Sequence, residues 1–148
     1  MSNDGQLNFG VYNAQAEQTA VAQSAQSYND GQWHYVVATQ GSDGMNLYVD
    51  GQLVSSNDTS QAQSYLGYWR VGAENLSGWP NAPSSNYFAG TISDAAFYNS
   101  ELSAGQVLTH YQASGSGCPT GWTCSDIGGA LPLGQQTLTG STLSLIHI

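Results

Sequence analysis

The chain has almost no positive charge. It contains no lysine and one arginine against ten acidic residues, so its formal net charge is −9. A nucleic-acid-binding surface needs lysine and arginine to neutralise a row of phosphates, and anionic membranes attract basic segments for the same reason. The composition therefore argues against both kinds of partner.

Charged residues of either sign are scarce, at 7% of the 148 residues. Soluble domains usually carry about a quarter. Serine, threonine, asparagine, glutamine and glycine must therefore supply the polar surface, which suits a secreted protein and a sugar ligand. The length accommodates one domain, or one domain and a fragment of another.

The sequence also lacks targeting segments. Met1–Asp30 contains no basic start followed by an apolar stretch, and no apolar run is long enough to span a membrane. A secreted composition without a leader predicts that the chain begins inside a longer protein.

Cysteine occurs twice, at Cys118 and Cys124 in CPTGWTC. The turn-prone residues between them predict a small disulfide loop, and hence an oxidising compartment; two free thiols are the alternative. Two cysteines without clustered histidines are too few to bind zinc.

Short stretches of alternating or continuous apolar residues, separated by Gly, Asn, Asp and Ser, predict an all-β, antiparallel two-sheet sandwich. One helix is predicted at Ser103–Gln112, with Ser103 as its N-cap. The Asp50-Gly51 pair predicts a hairpin turn, and His34 is placed in a strand with its ring bonded to the backbone. The predicted strands are Leu7–Tyr12, Thr19–Gln23, Trp33–Gln40, Met45–Val49, Gln52–Ser55, Tyr68–Gly72 and Tyr87–Tyr98.

The composition changes after residue 113, which divides the chain into three predicted parts. Residues 1–113 form the sandwich, and the small residues at 114–117 form a flexible linker. Residues 118–148 are interpreted as the start of a second, truncated β-module. Its last five residues, SLIHI at 144–148, are interpreted as a non-native tail.

Four segments carry a resemblance to a known family. In order along the chain they are DGQWHYVVAT, LYVDGQLV, YWRVG and GTISDAAFYNSELSAGQV. Over Leu7–Ala113 the chain resembles the laminin-G-like branch of the concanavalin A-like jelly rolls. The resemblance implies two antiparallel sheets packed face to face, within a larger secreted, bacterial, multidomain protein. It also implies that the opening strands of the domain precede Met1.

The resemblance further implies calcium at the rim of a sheet, held by carboxylate and backbone oxygens. Asp94 matches the acidic position of the family's closing strand, although Ser93 replaces the preceding acid. Asp94 is therefore the candidate metal ligand. The alternative is that its carboxylate accepts hydrogen bonds from the backbone or from a hydroxyl.

Catalysis is not predicted. A glycosidase needs a pair of facing carboxylates, and the Glu-x-Asp-x-x-Glu run of the glucan-hydrolysing fold relatives is absent. The isolated glutamates Glu17, Glu74 and Glu101 fall in predicted loops or turns.

Sugar binding is predicted for the aromatic- and asparagine-rich region Tyr65–Phe88. Aromatic faces stack on sugar rings, while amides and guanidinium groups bond hydroxyls. Trp79 is predicted to be an exposed platform because it precedes Pro80 in an irregular loop. The alternative for each aromatic is packing, and that for Arg70 is an ion pair with Glu74. The candidate ligand-binding residues are Trp79, Arg70, Asn75, Asn86 and Tyr87.

The sequence thus predicts a non-catalytic extracellular module that binds carbohydrate or a cell surface and works beside neighbouring domains. Two alternatives are a spacer domain without a ligand and a part of a glycoside hydrolase whose carboxylates lie elsewhere.

Overall fold

The computed structural model describes residues 1–13, 17–64 and 66–114. Several predictions lie outside these residues. They are the Cys118–Cys124 disulfide, most of the linker, the second module, the 144–148 tail and the aromatic residue Tyr65.

The strands form two antiparallel sheets, which confirms the predicted fold class. Strands β1 (Gln6–Asn13) and β2 (Gln18–Ser27) make one sheet. Strands β3 (Val36–Gly41), β4 (Gly44–Val49) and β5 (Gln52–Asn57) make the other, in the order β3-β4-β5. Strand β2 lies against β4 and β5, and β1 lies against β4.

Strand β4 forms the centre of the core because both of its faces are covered. Met45, Leu47 and Val49 are 0–2% exposed, and alternation along a strand places them on one face. Tyr48, on the other face, is 6% exposed and clusters with Leu102 from the far end of the domain. The apolar stretch Met45–Val49, which only Asn46 interrupts, is the pattern of a strand covered on both sides.

The helix α1 (Ala104–Ala113) begins at the predicted N-cap. The Ser103 hydroxyl accepts the Gln106 N–H at 3.3 Å, and the Gln106 side-chain oxygen accepts the Ser103 N–H at 2.9 Å. This reciprocal capping box satisfies two amide groups that a helix start leaves unpaired. On the helix, Val107 is 0% exposed and joins the cluster around Tyr48.

The Asp50-Gly51 turn between β4 and β5 forms as predicted. The two φ angles are 51° and 76°, as in the type I′ turns whose twist matches that of the flanking strands. Gly51 is also required by packing, because a methyl group there would come within 2.9 Å of the Tyr111 ring and 3.0 Å of Leu108. The turn therefore has α1 packed against it.

The strands predicted at Tyr68–Gly72 and Tyr87–Tyr98 do not form, so those two predictions are wrong. Their backbones meet in a single bridge, Ala73 with Tyr87. Around it Phe88 N–H donates to the Gly72 carbonyl, at 2.8 Å. A β-strand forms only where the backbone of a neighbouring strand pairs with its N–H and C=O groups. Among the described residues, these two segments have no ladder longer than this one bridge.

Strand β3 begins later than predicted, at Val36 instead of Trp33. The Tyr35 N–H donates to the Asp50 carboxylate at 2.9 Å, while the Asp50 N–H donates to the Tyr35 carbonyl at 2.9 Å. A side chain thus takes the place of one ladder hydrogen bond, and the regular strand starts at the next residue.

Candidate functional site

A cleft of about 310 Å³ lies between strands β1 and β2 and the loop at residues 76–83. Its walls are mainly apolar, and none of the described residues that line it has a charged side chain. The lining residues are Met1, Asn8, Phe9, Gly10, Val21, Leu76, Trp79, Pro80, Asn81, Ala82 and Pro83.

Trp79 is half-buried in the wall of this cleft, whereas the sequence predicted an exposed platform. The ring lies over Gly10 of β1, where a methyl group would come within 2.7 Å of ring atom Cζ3. Local turns fix the residue, since the Trp79 N–H donates to the Leu76 carbonyl at 3.0 Å and the Ala82 N–H to the Trp79 carbonyl at 3.3 Å. The absence of a side chain at Gly10 lets the indole approach the sheet.

Asn8 is among the residues that line the same cleft. Its Oδ1 atom is buried and has no partner, while its Nδ2 donates to the Gln6 carbonyl at 3.4 Å. A buried acceptor left unpaired costs roughly 1–3 kcal/mol. Asn8 cannot be recognised from the sequence because, on an alternating strand, it has the pattern of an outward-facing polar residue.

Asn81 lies at the cleft in a left-handed conformation, with φ 55°. Its Nδ2 donates to Gln23 Oε1 of β2 at 3.1 Å. This bond connects the loop to the first sheet, so the cleft wall is held by Trp79 packing and by a polar contact.

The other four predicted ligand-binding residues are not among those that line the cleft. They lie instead around Glu74, whose carboxylate oxygen is 3.3 Å from Arg70 Nη1 and accepts the Asn75 N–H at 2.8 Å. The Glu74 N–H donates to the Asn86 carbonyl at 3.0 Å. Tyr87 follows and is 75% exposed. The structure thus shows the Arg70–Glu74 ion pair that was the alternative for Arg70, and ligand binding by the four residues stays a prediction.

Asp94 stands in an irregular segment with a positive φ of 56°, not in a strand. Its Oδ2 accepts a hydrogen bond from the Ser93 hydroxyl at 2.6 Å, which is the alternative considered for it. Among the residues that the structure describes, no three His, Cys, Asp or Glu side chains come together. A calcium role for Asp94 stays a prediction.

His34 is held by two carboxylates, which corrects the expectation that its ring bonds to the backbone. Nδ1 lies 2.8 Å from Asp50 Oδ2, and Nε2 lies 3.1 Å from Asp30 Oδ1. Partial burial by itself lowers the pKa of His34, but the hydrogen bonds to Asp50 and Asp30 outweigh it and raise the pKa. The backbone N–H of Gln32, followed by the His34 hydrogen bond, lowers the pKa of Asp30. Both ring nitrogens are occupied, so the cluster ties residues 30–34 to the Asp50 turn.

Comparison with protein families defines the class. A family model described as the concanavalin A-like lectin/glucanases superfamily, laminin G type, matches residues 1–108. The chain therefore belongs to this family, as its sequence segments predicted. Such a domain fits an extracellular binding module.

Among solved structures, the chain is similar to an S-layer domain-containing protein from Clostridium thermocellum ATCC 27405, residues 221–444. The two are 21% identical with a TM-score of 0.42, over 75% of this chain and 65% of that one. A comparison with curated proteins gave no match. In the described part of the chain, no helix has the length and apolarity to cross a membrane.

Proposed function

We propose that the chain is a non-catalytic extracellular module that binds a neutral carbohydrate in the cleft between β1 and the 76–83 loop. The observation that carries the proposal is that the Trp79 ring and the amide side chain of Asn8 line the same cleft. Sugars present C–H faces that stack on an indole and hydroxyl groups that donate to an amide oxygen.

The size and charge of the cleft support a small neutral ligand. Its volume of about 310 Å³ is at the lower end of the 300–1,000 Å³ typical of ligand pockets, which suits one or two sugar rings. The described residues that line it include no Asp, Glu, Lys or Arg, so no charged side chain there offers an ion pair to an acidic or a basic sugar.

The same lining supports the non-catalytic part of the proposal. Glycoside hydrolysis by the usual mechanism requires an acid and a second carboxylate about 5–10 Å apart across the sugar. The described residues around the cleft present no carboxylate to fill either role. Membership in the family, together with a composition that contains few charged residues and no lysine, supports a secreted location.

The test compares two tryptophan variants of the 148-residue chain. Binding to a glycan array and to insoluble polysaccharides should fall at least about tenfold, or by 1.4 kcal/mol, in Trp79→Ala. The control Trp69→Ala removes a ring that is 78% exposed and stacks on Phe97, and should bind like wild type. Asn8→Leu should weaken binding by about tenfold through loss of one hydrogen bond to the ligand.

Other outcomes favour the alternatives. A folded wild-type chain that binds no glycan would support the ligand-free spacer. Equal losses in the two tryptophan variants would place the ligand outside the cleft. Release of reducing ends from a polysaccharide by the purified chain would overturn the non-catalytic assignment.

A further inference from the structure

A group of large apolar side chains between residues 69 and 97 lies in solvent, and we call it the apolar face. Its six members are 41–78% exposed. Contacts connect them, since the Trp69 and Phe97 rings stack with centroids 4.0 Å apart. A methyl group at Gly72, beside Val71, would lie 4.0 Å from Ile92 Cδ1. The members are Trp69, Val71, Tyr87, Phe88, Ile92 and Phe97.

The backbone of this region is unpaired as well. Among the residues that the structure describes, none makes a hydrogen bond with the backbone groups of residues 66–71. The YWRVG sequence at 68–72 is nevertheless composed mainly of strand-forming residues. A segment of this kind with free N–H and C=O groups is a ready template for another strand.

The apolar face carries little of the chain's negative charge. The charged residues between 66 and 98 are Arg70, Glu74 and Asp94, out of one arginine and ten acids in the whole chain. Arg70 and Glu74 already neutralise each other at 3.3 Å. Two chains of charge −9 repel each other over most of their surfaces, but they can meet at this face with little repulsion.

The area of the apolar face is that of a protein interface. A whole aromatic side chain covers about 150–250 Å², so the exposed fractions of the six members amount to roughly 700 Å². Two such faces would bury roughly 1,400 Å² together, which lies within the range of about 1,200–2,000 Å² for stable complexes. Monomers seldom expose so large an apolar patch, and those that do use it for binding.

We propose that the apolar face is a dimer interface at which two copies of this chain meet about a twofold axis. A second copy matches the face in polarity, charge and area, because a twofold axis brings the same surface from each chain. The 68–72 segments of the two copies run antiparallel and pair their backbone groups, which supplies the partner that one chain lacks. The cleft stays accessible, since none of the six members lines it.

Sedimentation equilibrium of the 148-residue chain tests the dimer. The mass should rise with concentration from 15.6 kDa to twice that value, with a Kd of about 10⁻⁶ M, the weak end for an interface of this area. Added NaCl should strengthen the dimer because salt screens the repulsion between two chains of charge −9. The Tm of the wild-type chain should also rise with its concentration.

Aspartate substitutions locate the interface. Val71→Asp and Phe97→Asp each place a like charge on both copies, so each should weaken the dimer at least about tenfold. Val36→Asp is the matched control, because Val36 is 44% exposed at the start of β3 and lies outside the apolar face. It should dimerise as wild type does.

Three results would overturn the proposal. One is a folded wild-type chain that stays monomeric up to about 10⁻³ M, a concentration at which even a very weak complex forms. Slow amide exchange of residues 68–72 in that monomer would assign the face to another part of the same chain. Another is a Tm that does not change with concentration. The third is a dimer that Val36→Asp dissociates and Val71→Asp does not, which would place the contact at the edge of β3.

Discussion

The two halves of this domain differ in how their apolar residues are used. In β1–β5 and α1, apolar side chains such as Met45, Leu47 and Val107 are almost fully buried. In residues 66–100, large apolar side chains lie in solvent, with Leu66 at 103%, Tyr68 at 94% and Trp69 at 78% exposed. The second region is as rich in strand-forming residues as the first.

The difference shows that apolar alternation needs a sheet neighbour before it produces a strand. Strand β4 has a neighbour on each side and a layer over each face. The 66–100 region has one bridge and a few isolated backbone bonds among the described residues. The two regions therefore differ in backbone hydrogen-bond pairing, although their sequence patterns are alike.

The largest contrast is expected from matched leucine substitutions. Leu47→Ala removes a side chain that is 2% exposed and should lower the free energy of unfolding by about 2–5 kcal/mol. Leu66→Ala removes one that is 103% exposed and should change it by less than about 0.5 kcal/mol. Urea denaturation followed by circular dichroism measures both, and similar losses would mean that the 66–100 region also packs in solution.

A smaller contrast is expected from two serines. Ser103→Ala removes the N-cap of α1 and should cost about 1 kcal/mol of stability. Ser77→Ala changes an exposed loop residue and should have an effect within about 0.5 kcal/mol. The same urea titration measures both. An unchanged midpoint in Ser103→Ala would show that the helix start is held by Leu102 packing alone.

The smallest contrast is between the cluster of His34 with Asp30 and Asp50 and the ion pair of Arg70 with Glu74. It depends on pH. The folded-state pKa of His34 is raised above 6.5. The stabilisation that His34 contributes to the folded state is therefore complete below pH 6.5, and it disappears as the pH rises through the folded-state pKa of His34. The pKa of Asp30 is lowered in the folded state. The stabilisation that Asp30 contributes is therefore present at neutral pH and is lost only as the pH falls below 3.8. The Tm difference between wild type and His34→Gln should thus be larger at about pH 5.5 than at about pH 9.

Arg70→Gln is the control for that measurement. Its partner Glu74 is half-exposed and Arg70 itself is 63% exposed, so the pair contributes little. Arginine also stays charged across this range, so the Tm difference should be small at both pH values. A His34→Gln effect that is equally independent of pH would show that His34 acts by packing against Tyr28 and not by its charge.

Much of the fold could be predicted because it depends on local pattern. The five strands, the type I′ turn at Asp50 and the helix with its Ser103 cap follow from residues that are neighbours in sequence. The two failed strands depended on distant pairing, which no local pattern contains. The late start of β3 depended on one Asp50 carboxylate, whose partner Tyr35 is fifteen positions away.

The candidate site was harder to predict for the same reason. The sequence predicted Trp79 to be an exposed platform, whereas its half-buried position depends on Gly10, far away in β1. Asn8 was missed because a buried oxygen without a partner can be recognised only when its surroundings are known. Spacing in sequence does not reveal which polar groups the fold leaves without partners.

The contact between Gly10 and Trp79 makes the cleft a property of the assembled domain. One wall comes from the first strand and the other from a loop some seventy residues later, so the unfolded chain contains no part of the site. A molecule held there binds only the native state, and at one hundred times its Kd it would add about 2.7 kcal/mol to stability. Thermal melting in the presence of candidate sugars would thus report on occupancy and on the docking of the loop at once.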